Sequence, residues 1–313
     1  MKTTNIVAII FVILILIGAG AYFFIHRPSG NEVAFQAPAK GTESTTTATP
    51  PPQAPVIKPE ASKTEDKTKT VIGTSVGGKA VTAYHFGTGT KEILFVGGMH
   101  GGYEWNTALL AYDVMDYLKQ HPDAVPSDVT VTIVPALNPD GLAKVVGTSE
   151  LFTASQVSAS QEVQVSGRYN GNGVDINRNF DCDWQSTGTW QNTSVSGGGA
   201  AFSEPESQAI KQYITSRKPA AVVAWFSAAG GVYSSNCHKG VSAETRTLTN
   251  IYAKASGYPA HESFDFYAIT GDMTNWLAKN DIPAISVLLT DHQNVELDKN
   301  LAGMTALLKH YAK

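Results

Sequence analysis

Residues 93–120 read ILFVGGMHGGYEWNTALLAYDVMDYLKQ, and this stretch decides the fold. Ile93-Leu94-Phe95-Val96 is a short apolar run closed by two glycines, the pattern of a buried strand. From Glu104 to Gln120, Trp105, Leu109, Tyr112 and Met115 recur at helical spacing. Val129 to Val134 is rich in β-branched residues and stops at Pro135, which predicts a second strand. The alternation continues downstream. Ser203-Glu204-Pro205-Glu206 reads as a capping box with an early proline, opening a helix to about Ser216. Ala221 to Trp225 and Ala284 to Leu289 read as buried strands, and Glu244 to Ala255, Asp272 to Lys279 and Glu296 to His310 as helices. Upstream, Val71 to Gly87 alternates about Gly77-Gly78, a hairpin pattern. Apolar strands alternating with amphipathic helices predict an α/β domain over residues 70–313, with a mixed central sheet and helices on both faces. Ligands of such sheets bind beyond the carboxyl ends of the strands.

Two different segments precede that domain. Ile6 to Ile25 is an uncharged, almost wholly apolar run of 20 residues. At 1.5 Å per residue it reaches about 30 Å, the thickness of a bilayer core. Residues 1–27 are therefore read as an uncleaved transmembrane anchor. A cleavable signal peptide is the competing reading, since Ala19-Gly20-Ala21 resembles a cleavage site. Residues 28–69 are rich in Pro, Thr, Ala, Ser and Lys around Pro50-Pro51-Pro52 and read as a disordered linker. A chain of that length reaches about 35 Å, which suits a domain tethered near a membrane and equally a plain spacer.

Composition narrows the function classes. The 313 residues carry 23 basic and 27 acidic side chains, a net charge of −4. With a pI near 6.1 there is no basic footprint, so no nucleic-acid partner is expected. Two cysteines are too few for a disulfide scaffold or a cysteine-rich zinc module.

Four polar segments follow the predicted strands. Gly97-Gly98-Met99-His100-Gly101-Gly102-Tyr103-Glu104 sets an imidazole and a carboxylate in one glycine-rich turn, a donor pair that suits zinc. It also suits a plain helix start, with Glu104 near the positive end of the dipole. Leu137-Asn138-Pro139-Asp140-Gly141 reads as a turn. Gly167-Arg168-Tyr169-Asn170-Gly171-Asn172-Gly173-Val174-Asp175-Ile176-Asn177-Arg178-Asn179-Phe180 sets two arginines among asparagines, which suits recognition of a carboxylate. Tyr267-Ala268-Ile269-Thr270-Gly271-Asp272 opens a helix with a tyrosine nearby.

In this order the segments resemble the zinc carboxypeptidases of the carboxypeptidase A type, above all their bacterial single-domain members. The resemblance covers roughly residues 71–313, and Gly-Val-Asp-Ile-Asn-Arg-Asn-Phe is its most specific motif. It implies hydrolysis of the C-terminal bond of peptides or cell-wall stem peptides, with Zn2+ as cofactor. His100 and Glu104 match two metal ligands. Arg168 matches the arginine that polarises the scissile carbonyl. Asn177 and Arg178 match the pair that holds the terminal carboxylate, and Tyr267 the tyrosine that closes over the substrate. Thr274 falls at the floor of the specificity pocket, where a small neutral residue argues against basic terminal residues.

The sequence departs from the family pattern at two essential places. The third zinc ligand is a histidine at a strand end, and here Phe226 stands there. The general base is a glutamate on a late strand, and here Leu288 stands there. His238 and His292 are the candidates for a substitute ligand, while Asp291 and Glu296 read as poor substitutes for the base. Cys182 and Cys237 should lie near one rim of the sheet, either bonded in an oxidising compartment or as free thiols. Three readings follow: a membrane-anchored metallopeptidase, a non-catalytic pseudoenzyme that binds peptide C-termini, and a purely structural domain. In each the domain lies on the extracytoplasmic side, anchored in the lipid bilayer through residues 6–25.

Overall fold

The computed structural model describes residues 68–312. The apolar run Ile6–Ile25 and nearly all of the predicted linker lie outside the described residues. Among the described residues no helix is long and apolar enough to cross a membrane.

Among the described residues ten strands and seven α-helices follow one another. The strands are β1 Lys69–Thr74, β2 Ala80–Phe86, β3 Lys91–Val96, β4 Val129–Val134, β5 Thr187–Trp190, β6 Thr193–Ser196, β7 Ala221–Ser227, β8 Gly231–Ser234, β9 Ala260–His261 and β10 Ala284–Leu289. The helices are α1 Trp105–Gln120, α2 Pro139–Val146, α3 Gln161–Ser166, α4 Pro205–Arg217, α5 Ala243–Ser256, α6 Met273–Lys279 and α7 Leu297–Tyr311. Eight strands form one sheet in the order β1-β2-β4-β3-β7-β10-β8-β9, and β5 and β6 form a separate hairpin. β4, β3, β7 and β10 are mutually parallel, while β1, β2 and β8 join antiparallel. The expected mixed sheet is present.

Side-chain alternation along the central strands builds two cores. Ile93, Phe95, Val223 and Trp225 pack with Leu110, Leu248, Tyr252 and Leu307 on the side of α1, α5 and α7. Leu94, Val96, Val222 and Phe226 pack with Ile210, Ile214, Trp276 and Leu277 on the side of α4 and α6. A strand buried on both faces cannot show polar alternation, which is why these strands read as continuous apolar runs.

Some local expectations are corrected. Asn138-Pro139-Asp140-Gly141 is the start of α2 rather than a plain turn: the Asn138 side chain accepts from Gly141 N at 2.8 Å, with Pro139 at the first helical position. The capping box at Ser203 does not form. Glu204 takes the N-cap position without a side-chain cap. Glu206 is drawn away by Asn170 Nδ2, at 3.0 Å, and Val76 N, at 3.0 Å. Helix α3, the β5–β6 hairpin and β8 were not foreseen, since none carries a continuous apolar run or a helical period.

Candidate functional site

The parallel strands β4, β3, β7 and β10 end on one rim, and the polar segments gather there. After β3 the chain turns through Gly97–His100 into a single 3-10 turn, Gly101–Glu104. Gly101 has φ +47, and a Cβ there would sit 2.6 Å from Gly167 O. The tightness of this turn sets His100 and Glu104 side by side.

His100 Nδ1 lies 2.9 Å from Glu104 Oε1, at an angle that makes no hydrogen bond. His100 Nδ1 and Glu104 Oε2 are both buried with no hydrogen-bond partner. On the other side of the ring, Nε2 accepts from Arg168 Nη2 at 2.9 Å and lies 3.4 Å from Asp175 Oδ1. Arg168 in turn donates through Nε to Asp175 Oδ2 at 2.9 Å. Arg168 is 1% exposed and Asp175 fully buried. Burial alone would push the Asp175 carboxyl up, but the Arg168 guanidinium and His100 outweigh it and hold it well below the usual carboxylate range.

One cleft of about 540 Å3 is lined by His100, Glu104, Arg168, Asn177, Arg178 and Tyr267. Phe226, Leu288 and Thr274 line it too. Every residue that the sequence reading assigned to the site therefore meets in one place. A second cleft of about 510 Å3 adjoins it through Glu104, Arg168, Tyr267 and Leu288 and is walled by Tyr103, Trp190, Phe266 and His292. Burial and the nearby Glu104 carboxylate push the Tyr103 hydroxyl up to about 12. Burial also raises Tyr267.

The motif 175–178 forms a 3-10 turn, Ile176–Arg178, capped by Asp175. Asn177 Nδ2 donates to Asp272 Oδ2 at 2.9 Å and its Oδ1 accepts from Met273 N at 3.1 Å, so it also braces the start of α6. Arg178 donates to Asn177 O at 2.9 Å and to Thr189 O at 2.8 Å, leaving a buried Nε without an acceptor. The Tyr267 ring lies 5.9 Å from the Arg178 guanidinium carbon. The β5–β6 hairpin contributes twice: Thr189 O meets Arg178, and the Trp190 ring lies 4.5 Å below the Arg168 guanidinium.

A catalytic zinc centre takes three protein donors and an open position. His100 and Glu104, with their orphaned buried atoms, fit two of the three. The place beside them holds Phe226, whose ring centroid is 5.4 Å from that of His100 and which has no lone pair to give. Among the described residues no three His, Cys, Asp or Glu side chains converge to hold a metal ion. The residues present do not fit a three-donor centre. His292 turns its Nδ1 to Ser227 Oγ at 3.1 Å and packs against Tyr103, and burial lowers its pKa. His238 stands on the exposed rim, paired with Asp183 Oδ1 at 2.7 Å. Asp291 caps the following turn through Gln293 N and Asn294 N, while Glu296 accepts from Thr290 and Tyr258.

Cys182 and Cys237 form a disulfide that closes a 55-residue separation at the rim of the cleft. The sequence reading missed Asp175, although it lies inside the quoted motif, because a buried partner of an imidazole has no signature of its own. Trp190 had none either, sitting in a short Thr- and Ser-rich stretch.

The same architecture recurs in solved structures. Murein-tripeptide amidase MpaA from Escherichia coli O157 superposes with a TM-score of 0.54 at 20% identity, covering 77% of this chain and 91% of that one. Thrombin activatable fibrinolysis inhibitor gives 0.62 at 16%, over 78% and 69% of the two chains. Carboxypeptidase A from Helicoverpa armigera gives 0.55 at 18%, over 78% and 66%. No curated protein matches the chain in sequence. The family model described as zinc carboxypeptidase matches residues 58–295, which take in every residue of the cleft described above. With fold, cleft and motif order in agreement, the chain belongs to the zinc carboxypeptidase family.

Proposed function

We propose that this domain binds the C-terminal end of a peptide, or of a cell-wall stem peptide, and does not hydrolyse it by the family's metal-assisted route. One observation carries the reading: Phe226 and Leu288 line the same cleft as Arg178. The half of the site that would hold a carboxylate keeps its arginines and its tyrosine. The half that would hold a metal and activate water keeps His100 and Glu104 but has Phe226 and Leu288 where a third donor and a base would stand. A general base contributes about 10²–10⁴-fold to such a reaction, so Leu288 alone would remove most of it. The fold shared with a murein-tripeptide amidase supports a cell-wall peptide as the ligand.

The location is part of the proposal. The apolar run 6–25, the Pro/Thr-rich stretch after it and the disulfide all suit a domain held at the outer face of a membrane. Protease accessibility of the domain in intact cells tests this, and full protection would refute it.

Titration calorimetry with a peptide acid and its C-terminal amide tests the ligand. The acid should bind at least tenfold tighter, and Arg178→Gln should erase the difference. Equal affinities would sink the carboxylate pocket. The orphaned pair His100 Nδ1 and Glu104 Oε2 favours a second reading, a hydrolase whose metal takes a further donor from elsewhere. Peptide hydrolysis abolished by a chelator would put that reading first.

A further inference from the structure

We propose that the β5–β6 hairpin is a strap that competes with the ligand's carboxylate for Arg178, and that a peptide acid lifts it in order to bind. The inference rests on the reading of Arg178 as the holder of the terminal carboxylate. It adds a regulatory contact to that same site.

A guanidinium binds a carboxylate best along an edge, through two parallel N–H bonds. Nε and Nη2 form one such edge of Arg178, and the hairpin lies on it. Thr189 O accepts from Nη2 at 2.8 Å, while the buried Nε has no acceptor. Gly188 accounts for this. A Cβ there would meet Arg178 Cδ at 2.9 Å, Thr270 Oγ1 at 3.1 Å and Arg178 Nε at 3.2 Å, so the strand backbone lies directly against the guanidinium. The Thr270 hydroxyl beside it is also buried without a partner. The strap therefore answers one donor of the edge with a neutral oxygen and leaves the other unanswered. A carboxylate would answer both donors, and with charge.

The same hairpin reaches the second arginine of the cleft. The Trp190 ring lies 4.5 Å from the Arg168 guanidinium carbon. Both arginines are 1% exposed. One short element thus covers the two cations that a peptide C-terminus would seek.

The hairpin can move as a unit. β5 and β6 form a sheet of their own. Of their residues only Gly188 and Val195 are buried, and Val195 belongs to neither of the two cores. The base is pinned. Gly197 O accepts from Asn179 Nδ2 at 2.7 Å and from Trp184 Nε1 at 2.9 Å, and Asp175 N donates to Ser196 O at 3.0 Å. Above the base the strap is held by Thr189 O on Arg178 and by the Trp190 ring on Arg168 and against Tyr103, 4.9 Å away. A segment with so few buried apolar contacts opens at a low free-energy cost.

The test titrates the full-length chain with N-acetylated trialanine as the acid and as the amide, with two readouts. The first is acrylamide quenching of Trp190, isolated as the difference between the wild type and Trp190→Phe. The acid should raise it severalfold, and the amide at the same concentration should not. The second is the affinity of Gly188→Ala, whose methyl group collides with Arg178 Cδ and props the strap. Apparent affinity scales with the fraction of molecules whose strap is open, so this variant should bind the acid about tenfold tighter and the amide no differently. If Gly188→Ala does not fold, the quenching of the wild type decides. A Trp190 that stays as shielded, or becomes more so, with the acid bound would overturn the inference. So would unchanged or weaker acid binding by a folded Gly188→Ala. If either occurs while the acid still outbinds the amide, only the strap falls. If acid and amide bind equally, the Arg178 reading falls and the strap with it.

Discussion

Phe226 on β7 and Leu288 on β10 are direct register partners on neighbouring parallel strands, and both line the floor of the cleft. Sixty-two positions apart in sequence, they form one apolar patch beside His100. Both are at least 93% buried, at 5% and 7% exposure. A buried polar group left without its partner is costly, whereas two apolar neighbours satisfy each other. The two departures from the family pattern are therefore one physical change.

Restoring both positions should restore a metal site. Phe226→His with Leu288→Glu places an imidazole and a carboxylate beside His100 and Glu104. Without metal the double variant should be less stable than the wild type, because it buries polar groups in an apolar cluster. With zinc it should recover about 2.7 kcal/mol at a hundredfold excess over Kd. Thermal denaturation with and without zinc, together with zinc content after desalting, reads this. The wild-type chain should retain well under one zinc. One tightly held zinc in the wild type, or none in a folded double variant, would show that these positions are wrongly assigned.

Trp190 should matter to stability out of proportion to its place on a short hairpin. Its ring faces the buried Arg168 guanidinium at 4.5 Å, with Tyr103 at 5.6 Å from the same group. A desolvated cation–π contact is worth about 2 kcal/mol. Trp190→Ala should lower unfolding stability by about that much in urea titrations, and Trp190→Phe by less than half of it. A loss under about 0.5 kcal/mol for the alanine variant would make the ring a bystander.

The central strands were legible as continuous apolar runs and the helices by their amphipathic period. Ile93–Val96, Val129–Val134, Ala221–Trp225 and Ala284–Leu289 all proved to be central strands. The cleft was legible because Asn177, Arg178 and Tyr267 sit in motifs whose order in the chain is kept. Short elements were not. Four-residue β8 and the β5–β6 hairpin have too few residues for a period to show. Pairings such as Arg168 with Asp175, or Glu206 with Asn170, join residues whose meeting no local pattern encodes. The capping box failed for the same reason: a tertiary partner outbid the local one.

The disulfide should hold the two walls of the cleft together. It links the segment after Asn179 to the segment after β8, and both cysteines are buried. Closing a loop of that length stabilises by roughly 4 kcal/mol in the chain-entropy model. Cys182→Ala with Cys237→Ala should therefore lower Tm by many degrees and weaken peptide-acid binding together. An unchanged Tm would mean that the rest of the core already fixes both segments.

Glu296 should set part of the acid stability. It accepts from Tyr258 at 2.6 Å, from Thr290 N at 2.8 Å and from Lys299 at 2.6 Å, tying the end of β10 to the start of α7. Burial pushes its carboxyl up, but Lys299, Tyr258 and Thr290 outweigh that and leave it below the usual value of 4.5. A carboxyl with a lowered pKa in the folded state binds its proton more tightly when unfolded. Its stabilisation is full above about pH 4.5 and is lost as the pH falls through the lower, folded-state value. Glu296→Gln should cost about 1–2 kcal/mol at pH 7 and much less at pH 3, because the wild type has then lost most of the same contribution. Parallel urea titrations at the two pH values check this. A cost that stays constant across them would show that the side chain acts through shape alone.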